Sequence, residues 1–201
     1  MKIRPFFERL ALGGGVGVIA TIAYRSIQAL ATEGADVRQT CWTWQWLPFN
    51  AEWVWPYFSM FILVGLPWFL LPDLRLVRRF ALCLLGVAAT GWITFLIYPT
   101  ACIRPNPDGQ PVYYQALLLI DQPSNCLPCL HSAFSVLAAW TLSYGAANRN
   151  IGITRALLAV WLLLIFISIV ALRQHTGIDI VAGIILGSIG AWVWTPTTPR
   201  V

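Results

Sequence analysis

Six apolar stretches run through this sequence, at about 10–31, 53–71, 79–99, 128–147, 154–172 and 176–194. Each is near the roughly 20 residues an α-helix needs to cross the hydrocarbon core of a bilayer. In hydrocarbon every backbone N–H and C=O must be satisfied within the segment, so runs of this length form helices. The expected fold is all-α: a polytopic membrane protein with six transmembrane helices, forming one integral domain over residues 1–201. Only 10% of the residues are charged, against about 25% in soluble chains, and the mean hydropathy is +0.70. These values exclude a soluble domain, a disordered tail and a collagen-like rod, and six spans leave no room for a second core.

The net charge of +5 gains meaning from where the basic residues fall. Lys2, Arg4 and Arg9 precede the first stretch, and Arg75, Arg78 and Arg79 lie between the second and third. Arg149 and Arg155 lie between the fourth and fifth, and Arg200 is near the end. The opposite side holds only Arg38, Arg104 and Arg173, with Arg25 at the outer end of the first span. Cytoplasmic loops collect Lys and Arg, so both termini are expected in the cytoplasm. The loops 32–52, 100–127 and 173–175 then face the periplasm, a lumen or the exterior, with the plasma or inner membrane as the expected location. No dense basic tract interleaved with aromatics occurs, so nucleic acid is not an expected partner. Trp42, Trp44, Trp46, Trp53 and Trp55 crowd the first outer loop and the entry to the second span, the depth that indole rings prefer. The segment Ala29-Leu30-Ala31 has the small-residue form of a signal-peptide cleavage site, but Glu8 and Arg25 argue for a retained span.

The polar residues at the outer ends of the spans are the functional candidates. The chain has two histidines: His131 opens the fourth span and His175 the sixth. A chain that crosses and returns between them brings both imidazoles to one membrane level. Asp179 stands four residues after His175, within reach on one helix face, and an acid inside an apolar run is a functional candidate by default. Its carboxylate is expected to hold the ring of His175 and leave the other nitrogen free to attack. The alternative is a structural His–Asp pair that ties the helix start. Arg104 and Arg173 lie at the depth of the imidazoles, and a guanidinium fork suits the oxygens of a tetrahedral phosphate. Pro128 suits the first turn of the fourth helix, and the N–H groups around Cys129, Leu130 and His131 would then face an anion.

Asp108 and Asp121 read as solvated loop carboxylates, and Tyr113–Ile120 as a short interfacial helix. Cys41, Cys102, Cys126 and Cys129 fall on the outer side, and four cysteines allow three pairings. A Cys102–Cys126 disulfide would clip the 100–127 loop; free thiols are the alternative. Cys126-x2-Cys129 has the form of a zinc element, but the chain lacks the remaining zinc spacing, and no metal or cofactor is expected.

These residues resemble the type 2 phosphatidic acid phosphatase (PAP2) superfamily over about 79–194. The matching elements are Arg104-Pro105, Pro128-Cys129-Leu130-His131 and Arg173-Gln174-His175-x3-Asp179. Leu130 before His131, and the basic-Gln-His order before Asp179, are similar to the inositol-phosphotransferase-like branch. Ile97 and Ile169 stand where the family carries basic residues, and Cys129 where it carries serine. The resemblance implies a haloperoxidase-like helical core and a metal-independent lipid phosphatase. His175 would be the nucleophile, Asp179 its support and His131 the proton donor. Arg104, Arg173, Cys129 and Leu130 would bind substrate, a lipid phosphate. A phosphotransferase and a non-catalytic lipid-binding relative are the alternatives. Nothing in the sequence sets the oligomeric state.

Overall fold

Each apolar stretch becomes a helix in the computed structural model of the chain, which describes residues 3–32, 38–39, 47–145 and 150–196. The long helices are α1 (Ile3–Thr32), α2 (Val54–Leu70), α3 (Leu74–Ile97), α5 (Leu130–Gly145), α6 (Ile151–Ala171) and α7 (Gly177–Trp194). A short helix α4 (Val112–Ile120) lies in the long loop, and strands β1 (Arg38–Gln39) and β2 (Thr100–Ala101) form a parallel two-residue pair. Among the described residues, five helices are long and apolar enough to cross a membrane: α1, α2 with its preceding 3-10 turn, α3, α6 and α7. At 16 residues, α5 is shorter. Trp42, Trp44, Trp46 and Cys41, and with Cys41 its share of the disulfide question, lie outside the described residues.

The helix ends follow local rules. Asp73 caps α3, its side chain accepting from Arg75 N at 2.7 Å. Thr176 and Asp179 form a reciprocal capping box at the start of α7, which satisfies two otherwise orphaned donors. Arg9 donates to the carbonyls of Trp68, Phe69 and Leu71 at the end of α2. Arg79 does the same for Val193 and Thr195 at the end of α7. Cations at helix C-termini complement the exposed carbonyls there.

Helix α5 lies in the middle, against α2, α3, α6 and α7. Three of its buried hydroxyls bond back to their own helix, Ser135 to His131 O at 2.7 Å, Thr141 to Ala138 O at 2.8 Å and Ser143 to Trp140 O at 2.8 Å. A fourth, Ser132, bonds to Cys129 O at 2.9 Å and across to Ile180 O of α7 at 3.2 Å. That lets them sit in an apolar bundle without leaving a donor unpaired. Helix α7 docks on α5 through glycines. A methyl at Gly187 would lie 2.9 Å from Ala133 Cα, and one at Gly183 would strike Ser132 Oγ and the Cys129 carbonyl. Such small-residue faces let backbones approach within a membrane. Phe61, Ile62, Leu82, Leu163, Ile185 and Trp192 point outward from the bundle, a surface that suits hydrocarbon rather than water.

Candidate active site

The helix bundle brings the two histidines into contact. His131 is the second residue of α5, and His175 sits in the turn between α6 and α7. That turn is made by Arg173, which takes a left-handed conformation (φ 57°), a position usually filled by glycine or asparagine after a helix. The reversal aims His175 back at α5, where its Nε2 lies 3.1 Å from His131 Nδ1. The other nitrogen of His175, Nδ1, lies 2.9 Å from the Cys126 carbonyl. A carbonyl only accepts, so Nδ1 carries the proton and Nε2 presents its lone pair. Burial, then the neighbouring His131, push the His175 imidazole down to about 3. It is neutral wherever the protein works near neutral pH.

Asp179 does not hold this ring. The expected i, i+4 pairing requires both residues on the helix, and α7 begins only at Gly177. Asp179 Oδ2 instead accepts from the backbone N and the hydroxyl of Thr176 at 2.8 and 2.9 Å, and Cys102 Sγ lies 3.8 Å away. Its backbone carbonyl takes the Cys129 N–H at 3.0 Å. Asp179 therefore fixes where α7 starts and ties that start to α5, while the Cys126 carbonyl orients His175. The sequence held the signal, since Thr176-Gly177-Ile178-Asp179 has capping-box spacing.

The binding residues expected from sequence are placed unevenly. Arg104 is nearly enclosed and donates to the Asp121 and Gln122 carbonyls, with its guanidinium 3.6 Å from the Asp121 carboxylate. Arg173 points away, donating to the Leu47 carbonyl at 2.8 Å, because the 47–50 segment lies over the α6–α7 turn. Cys129 is fully buried, with Sγ 4.0 Å from His131 Nδ1, and its N–H, already bonded to Asp179, is not free for an anion. Leu130 packs against Gly91 and lines the cavity below the histidines. Pro128 precedes α5 through a cis Leu127–Pro128 peptide rather than lying in its first turn. Ile169 is fully buried and Ile97 faces outward, so neither position supplies a charge.

Cys102 and Cys126 are not joined in the disulfide considered above; both are thiols. Cys126 Sγ faces the Pro123 carbonyl at 3.4 Å, and Thr100 Oγ1 holds this loop by accepting from Cys126 N and Leu127 N at 3.1 and 2.9 Å. The thiol of Cys129 and the imidazoles of His131 and His175 place one donor atom each within 4.8 Å of one another.

Three residues that sequence reasoning passed over belong to the site. Asp121 is not a solvated loop acid: it is buried at the end of α4, whereas Asp108 is exposed as expected. Its Oδ2 accepts from the Tyr57 hydroxyl at 2.7 Å, and that hydroxyl lies 2.6 Å from His131 Nε2. Burial alone would raise the Asp121 carboxyl, but His131 and Arg104 hold it below the ordinary carboxylate range. Asn125, on the loop before α5, is 4% exposed, and neither atom of its amide has a partner. It lines the same cavity as both histidines. Asn125 and Tyr57 carry no distinctive sequence signal, and Asp121 offers only a lone acid closing an apolar helix.

That cavity has a volume of about 420 Å³ and runs from Asp121, Asn125 and the histidines down between α1, α2 and α3 to Gly13 and Trp68. Its walls below the polar end are apolar, with Val16, Ala20, Met60, Leu84 and Ala88 among them.

The state of His175 sets an acid dependence of stability. Unfolded, the imidazole takes up a proton near pH 6.5; folded, only near 3. Between those values the unfolded chain binds the extra proton, so stability falls as pH drops below about 6.5. Asp121 adds to the loss only below the ordinary carboxylate range. The melting temperature in detergent is expected to fall from pH 7 to pH 5, and less steeply in His175→Asn, by up to about 1.4 kcal/mol per pH unit. Equal slopes would contradict the burial of a neutral imidazole.

Compared with known proteins, the sequence model of the PAP2 superfamily matches residues 78–201. No curated protein and no solved structure matches the chain.

Proposed function

The chain belongs to the PAP2 superfamily, and from that premise we propose that it is a membrane phosphatase that removes a phosphoryl group from a lipid through a phosphohistidine. The observation that carries this reading is the pair of imidazoles in contact at the polar end of a long apolar cavity. One ring is neutral with a free lone pair, and the other is linked to a buried acid. A phosphoryl group enters by replacing the 3.1 Å contact between the rings. His175 Nε2 attacks phosphorus, and the bond to the leaving oxygen breaks with its electron pair. That oxygen takes the proton of His131 Nδ1. In the second step a water attacks phosphorus, Nδ1 of His131 takes its proton, and the P–N bond returns its pair to His175. The products are the lipid alcohol, or a lipid monophosphate from a diphosphate, and inorganic phosphate. Because one imidazole must be neutral and the other protonated, rate against pH is bell-shaped. The unpaired amide of Asn125 is positioned to meet the equatorial oxygens, in a reaction governed by positioning and electrostatics.

The cavity supports a lipid substrate with one apolar chain beneath the phosphate. From Gly13 to Tyr24, α1 rises about 16 Å. A cavity of about 150 Å³ holds one benzene, so 420 Å³ accommodates on the order of 15 to 20 carbons. The basic residues favour cytoplasmic termini, which puts the histidines on the non-cytoplasmic side. Leu130 and the Arg173-Gln174-His175 order support the inositol-phosphotransferase-like branch, in which an alcohol replaces water as acceptor.

The test is phosphate release by purified protein from lipid monophosphates and diphosphates of graded chain length in detergent micelles. Release that improves up to the length the cavity holds is expected, and no release from any lipid, with no ester formed from added alcohols, would defeat the reading. Gly17 lines the cavity, and a side chain there meets open space. Gly17→Leu should raise KM for long-chain substrates about tenfold or more, since each displaced methylene is worth about 0.8 kcal/mol, while short-chain substrates keep theirs. An equal effect on all lengths would show that the tail lies elsewhere.

A further inference from the structure

Hydrogen bonds around His131 can be assigned proton by proton, and the count does not close unless the site holds one proton more than its resting groups supply. Nδ1 of His175 donates to the Cys126 carbonyl, and the buried ring is neutral, so Nε2 of His175 can only accept. The 3.1 Å contact therefore needs a proton on His131 Nδ1. On the other side of the ring, the Tyr57 hydroxyl lies 2.6 Å from His131 Nε2 and 2.7 Å from Asp121 Oδ2. It has one proton for two contacts. If Tyr57 donates to Asp121, Nε2 of His131 must donate to Tyr57, and the ring is an imidazolium. If Tyr57 donates to His131, Asp121 must carry a proton and donate to Tyr57. Both arrangements contain the same number of protons, and they interconvert by two short shifts along hydrogen bonds already formed.

We propose that Tyr57 and Asp121 are positioning residues that keep one proton in store for His131 and fix Nδ1 as the atom that releases it. Neither touches the reacting phosphorus; both act through the imidazole. The direct gap from His131 Nε2 to Asp121 Oδ2 is 3.8 Å, too long for a hydrogen bond, so the tyrosine oxygen is the link. The groups facing His131 are Asp121 and Tyr57, His175 on the opposite side, Cys129 at 4.0 Å, and Arg104 behind Asp121. Tyr24 of α1 adds a second hydroxyl on the other oxygen of Asp121, at 3.4 Å. Arg104 helps to keep the acid in its ionised form, and that carboxylate favours a charged His131 against the burial of the ring and the charge of Arg104. When Nδ1 has given its proton away, Nε2–H still donates to Tyr57, so the lone pair left on Nδ1 is aimed at the incoming water.

The role in turnover rests on the phosphoryl-transfer reading given above, but the proton store itself does not. The chain has two histidines, so ring-15N labelling gives two sets of side-chain resonances, which His175→Asn assigns. In the unliganded wild type in detergent micelles, His131 is expected to show both nitrogens protonated at neutral pH, and His175 only Nδ1. In Asp121→Asn the midpoint of His131 deprotonation should fall by at least about one pH unit, the usual effect of removing an opposite charge at this range. Tyr57→Phe should shift it in the same direction, and Asp121→Glu should restore it in part. An unchanged His131 titration in both Tyr57→Phe and Asp121→Asn would overturn the proposal, whatever the enzyme does.

Kinetics provides the second arm. Loss of the store should move the alkaline limb of the rate profile to lower pH and cost alkyl phosphates about 100-fold. 4-Nitrophenyl phosphate, whose leaving group needs no proton, should lose less than about fivefold. Equal losses on both substrates with a fixed alkaline limb would indicate packing alone. If the wild type releases no phosphate from either, the phosphatase reading fails, and the ring titration still decides the store. Tyr57→Phe removes one oxygen from a side chain that otherwise keeps its packing, so it serves if the Asp121 variants fail to fold.

Discussion

His175→Asn is expected to lower phosphate release by about a thousandfold or more, the scale on which loss of a nucleophile acts, while the protein still folds. The asparagine amide keeps a donor for the Cys126 carbonyl, which the wild-type ring meets at 2.9 Å, and has no lone pair where Nε2 stood. The check is chemical as well as kinetic. Acid-quenched wild type incubated with a 32P-labelled lipid phosphate should carry label that is stable in base and lost in acid, as a P–N bond is. His175→Asn should carry none. His131→Asn separates the two roles: it should still take up label from 4-nitrophenyl phosphate, whose leaving group needs no proton, and release it slowly because water has lost its base. If His175→Asn is labelled like wild type, the nucleophile is another residue.

The second large effect is structural. Gly187→Leu is expected to destabilise the protein by about 3 kcal/mol or more, the upper range for overpacking, and to lower the yield of monodisperse protein. The neighbour at that position is backbone, Ala133 Cα and its carbonyl, so no rotamer change relieves the clash and α7 must move off α5. The histidines are carried on either side of that interface, so their 3.1 Å contact opens with it. Gly86→Ala is the control: nothing lies within 4 Å of the added methyl, and the better helix former should leave the melting temperature unchanged or slightly raised. Equal behaviour of the two variants would show that the glycine seam does not set the helix spacing.

The positions of the helices could be read from the sequence because apolar length in a bilayer has few structural solutions. The stretch at 176–194 corresponds to α7 at Gly177–Trp194, 154–172 to α6 at Ile151–Ala171, and the short helix at Tyr113–Ile120 to α4 at Val112–Ile120. The pairing of His131 with His175 followed from the same counting, two crossings between them. The residues behind His131 did not follow. Tyr57 is one aromatic among many in an apolar helix, and Asp121 belongs to a loop whose path depends on tertiary contacts to Arg104 and Tyr24. Asp179 was found but given the wrong partner, since it stands both four residues after His175 and three after Thr176, and which of the two it meets depends on where the helix begins. Arg173 misled for a similar reason: membrane depth does not say which way a long side chain turns.

The family match starts at residue 78, and half of the residues that line the cavity lie before it. Gly13, Val16, Gly17, Ala20 and Tyr24 come from α1, and Tyr57, Met60, Phe61, Val64 and Trp68 from α2. The matched part carries both imidazoles and the turn that aims one of them. The matched part also supplies the wall on the α3 side, through Leu84, Ala88, Trp92 and Phe95, so the cavity straddles the boundary of the match, and Tyr57 is where the unmatched part reaches the imidazoles. Grafting the first two helices onto another superfamily core would carry over only half of that wall, and would support the proton donor only where the recipient offers an acid for that tyrosine to meet.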